Sequence, residues 1–257
     1  MTLILYLNLF YPRYLSGCEI CGSPFGIAFL LFIIFVASHK IKKKKMENSV
    51  LLSTAYFAPI QYYSKLVQFP NVLIEQFENY SKQSYRNRCN IFGANGALAL
   101  TIPVVKASSK KILTKDVRIS YDTDWQKLHW KGIESAYQSS PFYEFYIDDL
   151  KKFFDRKWDF LLDMNLQVQE EICSLIDLDY DIKLTDDYIE DANQMVDFRE
   201  GIHPKASKSI VDPSFVSKEY YQVFSDKQGF IENLSILDLL FNMGPDSLMY
   251  LEQSIKG

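Results

Sequence analysis

The chain lacks the common catalytic signatures. It contains no Walker loop, Gly-x-Gly-x-x-Gly turn, His-Glu-x-x-His helix or nucleophile elbow. The phosphate cradles, zinc-peptidase helices and exposed serines that those spacings build are therefore excluded. No internal repeat is present either, which excludes solenoids and propellers. Cysteine is scarce: the four residues are Cys18, Cys21, Cys89 and Cys173, too few and too scattered for a disulfide framework. Cys18 and Cys21 form a Cys-x-x-Cys pair, but no second pair follows at zinc spacing and no βαβ pattern surrounds it. A reduced, cytoplasmic setting is expected, with no metal site and no cofactor.

Positive charge is also in short supply beyond the first residues. Arg13, Lys40 and Lys42 to Lys45 face only Glu19 within residues 1–45, a surplus of five, so a net charge of −4 leaves the remainder at −9. A body that acidic cannot neutralise many phosphates, and no nucleic-acid partner is expected. Apolar residues make up 48% of the chain and aromatic ones 15%, enough for a sizeable core and for ligand-lining rings.

The one long apolar run, Gly22 to Ser38, ends in His39, Lys40 and Lys42 to Lys45. It falls just short of the roughly 20 residues of a membrane-spanning helix, and its lysines follow the apolar run, the reverse of a secretory signal. Two readings stand. Either residues 22–38 anchor a cytoplasmic body to the inner membrane, with the positive charge inside, or Met46 is the true start. Residues 1–45 are thus set apart from a single domain over 46–257.

That domain reads as mixed α/β: a βαβ-like sheet with a hairpin, then a mostly helical C-terminal part. Val50 to Tyr56 and Val72 to Phe77 are strand-like, and Pro59 opens a helix between them through Phe69. Asn95-Gly96 between Cys89–Phe92 and Ala97–Val104 predicts a hairpin. Asp116 to Ser120 is weakly strand-like. Asp122 or Asp124 can cap a helix whose face carries Trp125, Leu128, His129, Gly132, Ile133 and Ala136, with Trp130 on its flank. Helices are expected from Pro141 through Phe154 and from Leu161 to Ile176, short strands at Ile182–Leu184 and Tyr221–Phe224, and a helix over Leu234–Met243 with Asn233 or Ser235 as cap and Gly244 as stop.

The most polar stretch, Glu78 to Asn90, lies between two of these strands. If it is extended, Lys82, Arg86 and Arg88 project from one face, the two arginines about 7 Å apart, and can grip one phosphate or carboxylate group. A solvated, charge-protected edge is the competing reading. His129 is either a buried, hydrogen-bonded core residue or an acid or base in a pocket wall. Asp238 and Asn242 form an i, i+4 polar line on an apolar helix, facing solvent or a buried site. Asp197-Phe198-Arg199 and Ile202-His203-Pro204-Lys205 make a further polar cluster.

Tyr56 to Tyr62, Glu78 to Arg88, Leu100 to Val104, His129-Trp130, Ser140-Pro141-Phe142 and Asn233 to Pro245 together resemble the WbqC-like family of bacterial proteins. The resemblance covers almost all of residues 46–257 and leaves out 1–45. It implies a place in building O-antigen or other surface polysaccharides and carries over no catalytic residue. The leading expectation is a cytoplasmic enzyme that transfers a group to or from a nucleotide-activated sugar. Lys82, Arg86 and Arg88 would hold the diphosphate with Glu78 and Asp238 nearby, Tyr85 or Trp130 would stack on a ring, and His129 would be the general base; an acyl donor is an open variant. By fold-level analogy with nucleotidyltransferases, the turn from Tyr56 to Tyr62 is a second place for chemistry, with Gln61 where a histidine would stand. The alternative is a non-catalytic module that binds a sugar nucleotide or a protein of the same pathway.

Overall fold

All five residues of strand β1, Ser49–Ser53, are buried, the mark of a strand covered on both faces. Parallel strands flank it: β2 (Asn71–Glu75) pairs Val72 with Val50 and Ile74 with Leu52, while the two-residue β6 (Val196–Asp197) pairs with Val50 and Leu51 on the other side. Strand β5 (Ile182–Leu184) pairs with β2, giving the parallel order β5-β2-β1-β6. In this computed structural model residues 48–106, 111–192, 195–205 and 207–256 are described. The Gly22–Ser38 run, its lysines and the Cys18–Cys21 pair lie outside them.

Helix α1 (Ile60–Gln68) makes the crossover from β1 to β2 and starts after Pro59, whose fixed φ suits a helix entry. The antiparallel hairpin of β3 (Arg88–Gly93) and β4 (Gly96–Thr101) turns at Ala94-Asn95, with Gly96 taking φ +103°. Helix α2 (Trp125–Tyr137) packs on this hairpin; α3 (Tyr143–Asp155) and α4 (Leu161–Leu175) follow. Near the end come α5 (Ser225–Gln228), α6 (Ile236–Met243) and α7 (Ser247–Gln253). The Ser235 hydroxyl caps α6 by accepting from the Leu237 amide. Gly244 ends α6 at φ +53°, where a Cβ would lie 2.5 Å from the Phe142 ring. Burying side chains such as Leu51, Leu52, Val72 and Ile74 contributes roughly 1.5–3 kcal/mol each.

The architecture is mixed α/β, with a parallel sheet, a hairpin and a helical C-terminal part. Several local expectations are corrected. Glu78 to Asn87 is a succession of turns, not an extended strand, because its backbone is drawn into bridges and side-chain bonds instead of a ladder. Asp116–Ser120 forms the end of a 3₁₀ turn (Thr114–Asp116) and isolated bridges. Tyr221–Phe224 leads into α5 instead of pairing. Leu128, expected on the inner face of α2, is 64% exposed. Among the described residues no helix is long and apolar enough to cross a membrane.

Candidate functional site at the carboxyl edge of the sheet

From β1 the chain adds β2 and β5 on one side, then places β6 on the other. That reversal between β1 and β6 is a topological switch point, and in open parallel sheets ligands bind outside the carboxyl ends of the strands there. The strand ends at that edge are Ser53, Glu75 and Asp197. A cleft of about 490 Å³ opens beside them, lined by Glu78, Tyr188, Asp197, Arg199, Glu200 and Ile210. A smaller void of about 10 Å³ lies among Ser53, Thr54, Tyr62, Tyr85, Arg86 and Arg199, about the room one water requires.

Arg86 is the hub. Its side chain is 3% exposed, and Nε and Nη2 each donate to one Glu78 carboxylate oxygen at 2.7 Å, a bidentate pair. Nη2 also reaches the Ser53 hydroxyl and the Glu200 carboxylate, both at 2.8 Å. Burial disfavours charge on Arg86, and Glu78 and then Glu200 outweigh it, so its pKa is raised. Arg199 repeats the arrangement: Nε and Nη2 hold Asp197, Nη1 donates to the Ile189 carbonyl at 2.7 Å and lies 3.6 Å from the wholly buried Glu75. Glu75 is further fixed by the Thr185 hydroxyl and the Ile189 amide. The segment after β5 is thereby pulled across the strand ends, with Tyr188 under the Arg199 guanidinium.

Four carboxylates thus surround two guanidiniums. The edge is a paired network, and its formal surplus is negative. Three of its members are held on both sides. Glu200 is the loose one: its side chain is 62% exposed and its pair with Arg86 is worth about 1 kcal/mol or less.

The usual phosphate seat, the first turn of the helix after β1, is occupied from within. The Gln61 amide donates to Asn233 Oδ1 at 2.9 Å and the Ile60 amide to the Leu234 carbonyl. Gln61 spends its own side chain on Asp212 and Asn233. Below it, buried Lys65 pairs with Asp212 at 2.6 Å and donates to Ser214. Burial lowers the lysine pKa while Asp212 works against that. The Tyr56–Tyr62 turn is therefore a docking point for the C-terminal chain.

The family model described as the WbqC-like protein family matches residues 54–250. The chain belongs to the WbqC-like protein family. It is also similar to an uncharacterised protein of Mycobacterium tuberculosis, 26% identical over an alignment of 235 positions that covers 81% of this chain and all of that protein. No solved structure matches.

Of the residues expected at a site in this WbqC-like chain, the fold brings Glu78, Arg86 and Tyr85 to the carboxyl edge and scatters the others. Lys82 sits exposed in a turn. Arg88 belongs to β3 and donates to the Thr101 hydroxyl at 3.0 Å, so the two arginines do not form the expected shared fork: Arg86 is spent on Glu78. Trp130 packs on Phe154, ring centroids 5.7 Å apart. His129 is 4% exposed, wedged against Trp125, with Nδ1 3.0 Å from the Tyr56 hydroxyl. Burial lowers its pKa to about 4, opposed by a bond to the Thr101 backbone. It is a neutral core histidine and lines neither cavity. Asp238 is fully buried, accepting from Gln222 at 2.7 Å and from the Tyr220 hydroxyl, and desolvation raises its pKa to about 6.

Sequence reasoning missed Ser53, Glu75, Tyr188 and Glu200, and noted Asp197, Arg199 and His203 only as a polar cluster. A two-residue strand is too short for periodicity to detect. The usable signal was charge clustering just after a Met-Val pair, Asp197-Phe198-Arg199-Glu200. Among the described residues no group of three or more His, Cys, Asp or Glu is placed to hold a metal ion.

Proposed function

We propose that the carboxyl-edge cleft binds a nucleotide-activated sugar, and that the protein transfers a group to or from it in surface polysaccharide synthesis. The supporting observation is the cleft of about 490 Å³ at the switch between β1 and β6, the default ligand position in such sheets. Its composition suits the sugar: Glu78, Asp197 and Arg199 offer fixed acceptors and donors to hydroxyls, and Tyr188 offers a ring face. The negative surplus disfavours placing a whole diphosphate among these carboxylates, so the sugar end is assigned to the cleft and the nucleotide to its mouth. WbqC-like membership supports the pathway by analogy.

One observation favours the non-catalytic module instead. Glu75, Glu78 and Asp197 are each committed to an arginine, which leaves Glu200 as the loosely held carboxylate for proton transfer. Thermal unfolding of the full chain with UDP-, dTDP- and CMP-sugars and with acyl-coenzyme A tests the ligand, since a compound that binds only the folded state raises Tm. A rise of several degrees with one nucleotide-sugar class, lost in Arg199→Ala, is expected. No rise with any of them overturns the reading. Binding without turnover when candidate acceptors are added selects the module.

A further inference from the structure

Arg86 Nη2 carries two hydrogens and faces three acceptors, Glu78, Ser53 and Glu200. Nη1, with two more hydrogens, makes none of these bonds. Among the described residues, the donors that point past Glu78 are therefore badly shared at one nitrogen and unspent at the other. Glu200, the most exposed of the three partners, holds its place with an oxygen that a ligand could supply.

A second observation comes from the loop that follows β6. His203 is 6% exposed, and its Nδ1 accepts from the Lys205 amide at 3.0 Å, which puts the ring proton on Nε2. That Nε2–H is buried and, among the described residues, has no hydrogen-bond partner. A buried donor without a partner is costly and calls for a reason such as an absent ligand group. The ring is close enough to Arg86, Glu200 and Lys208 to feel their charges: after burial, Lys208 and Arg86 disfavour its protonation and Glu200 favours it. Glu200 and His203 are three residues apart on the same loop.

We propose that Arg86 and His203 form an oxyanion subsite, closed in this structure by the Glu200 carboxylate, which takes a phosphate or carboxylate group of the ligand. The proposal rests on the reading of the cleft as the ligand site and adds the chemical group that the ligand must carry. Glu78 holds the guanidinium in place through its two bonds, and Glu200 is the built-in stand-in that leaves when the ligand's oxyanion arrives. The guanidinium then offers Nη2 and Nη1 together, the planar fork that suits such groups. His203 Nε2–H supplies the third donor.

The experiment is calorimetric titration of the full chain with inorganic phosphate and, separately, with glucuronate. The proteins compared are the unaltered chain, Glu200→Gln, and Glu200→Gln combined with His203→Ala or His203→Asn, each checked for an unchanged melting transition. Removing the stand-in charge should tighten binding of at least one anion about tenfold. Adding His203→Ala should cancel most of that gain, and His203→Asn, which keeps an N–H donor, should restore part of it. Phosphate alone assigns the subsite to the donor's phosphate, glucuronate alone to an acidic sugar, and either supports it. Affinities for both anions within about twofold of the unaltered chain in Glu200→Gln, or a gain that survives His203→Ala, overturn the proposal. Nucleotide-sugar binding with no Glu200 effect leaves the cleft reading standing without this subsite. An anion gain with no nucleotide-sugar binding does the reverse.

Discussion

Two buried polar regions of the molecule solve the same problem in opposite ways. At the carboxyl edge, the buried carboxyl groups of Glu78 and Glu75 are set against the guanidiniums of Arg86 and Arg199. In the interior of the hairpin and helices, His129 against Tyr56 and Asp238 against Tyr220 and Gln222 have, among the described residues, no opposite charge beside them, and burial pushes both toward the neutral form. Polarity alone does not mark a site. What separates the regions is access: the paired network opens onto a cleft, while His129 and Asp238 line none of the cavities described above.

The comparison breaks most visibly at Arg86. Arg86→Ala leaves the Glu78 carboxylate buried and uncompensated, and urea denaturation should show a loss of about 3–5 kcal/mol. Arg86→Met with Glu78→Gln removes both charges and should recover most of it. A loss below about 1 kcal/mol for the single change would mean that the edge network behaves as an exposed surface pair.

The neutral region makes a prediction of opposite slopes with pH. The Asp238 pKa rises from 3.8 to about 6 on folding, so its contribution is full below the unfolded value and is lost as pH climbs through about 6. The loss is about 3 kcal/mol at 1.36 kcal/mol per unit. Asp238→Asn should therefore gain about 3 kcal/mol relative to the unaltered chain between about pH 4 and about pH 8. The His129 pKa falls from 6.5 to about 4, so its contribution is present above 6.5 and lost as pH drops toward 4, again about 3 kcal/mol. His129→Gln should flatten that acid limb. Denaturation midpoints across the range check both. Flat differences would place either group in an environment as wet as the cleft.

The smallest effect sharpens how the C-terminal chain is fastened. Ser235→Ala removes the α6 cap and the bond to the Phe57 carbonyl, and should cost about 1 kcal/mol without altering ligand affinity, because the cap touches no cleft residue. A change in affinity would tie the Asn233–Ser235 latch on the α1 turn to the site.

Much of the fold was legible. Proline before α1, Asn-Gly in the hairpin, and Ser235 and Gly244 around α6 are local chemistry that fixes local structure. The edge network was half legible. Glu78 and Arg86 stood out by charge density, but their role depended on what the fold sets against them, and Glu200 is 114 residues away from Arg86 in sequence. Periodicity could not reveal that pairing, nor the strand of two residues that delivers it. Reading Lys82 and Arg88 into the same grip failed because the turns from Glu78 to Asn87 destroy the alternation that the argument required. His129 stayed open between two readings because a buried histidine on an apolar helix face presents the same pattern as a pocket base, and its burial against Tyr56 and Trp125 matches the core one.

The most direct test is amide hydrogen exchange of the full chain with and without whichever nucleotide-sugar raises its Tm most. The account predicts slowed exchange at Gln76 to Asn79, Tyr188 and Arg199 to His203, the backbone around the cleft, with α2 unchanged. Protection centred on α2 around His129, with the carboxyl edge unaffected, would contradict it.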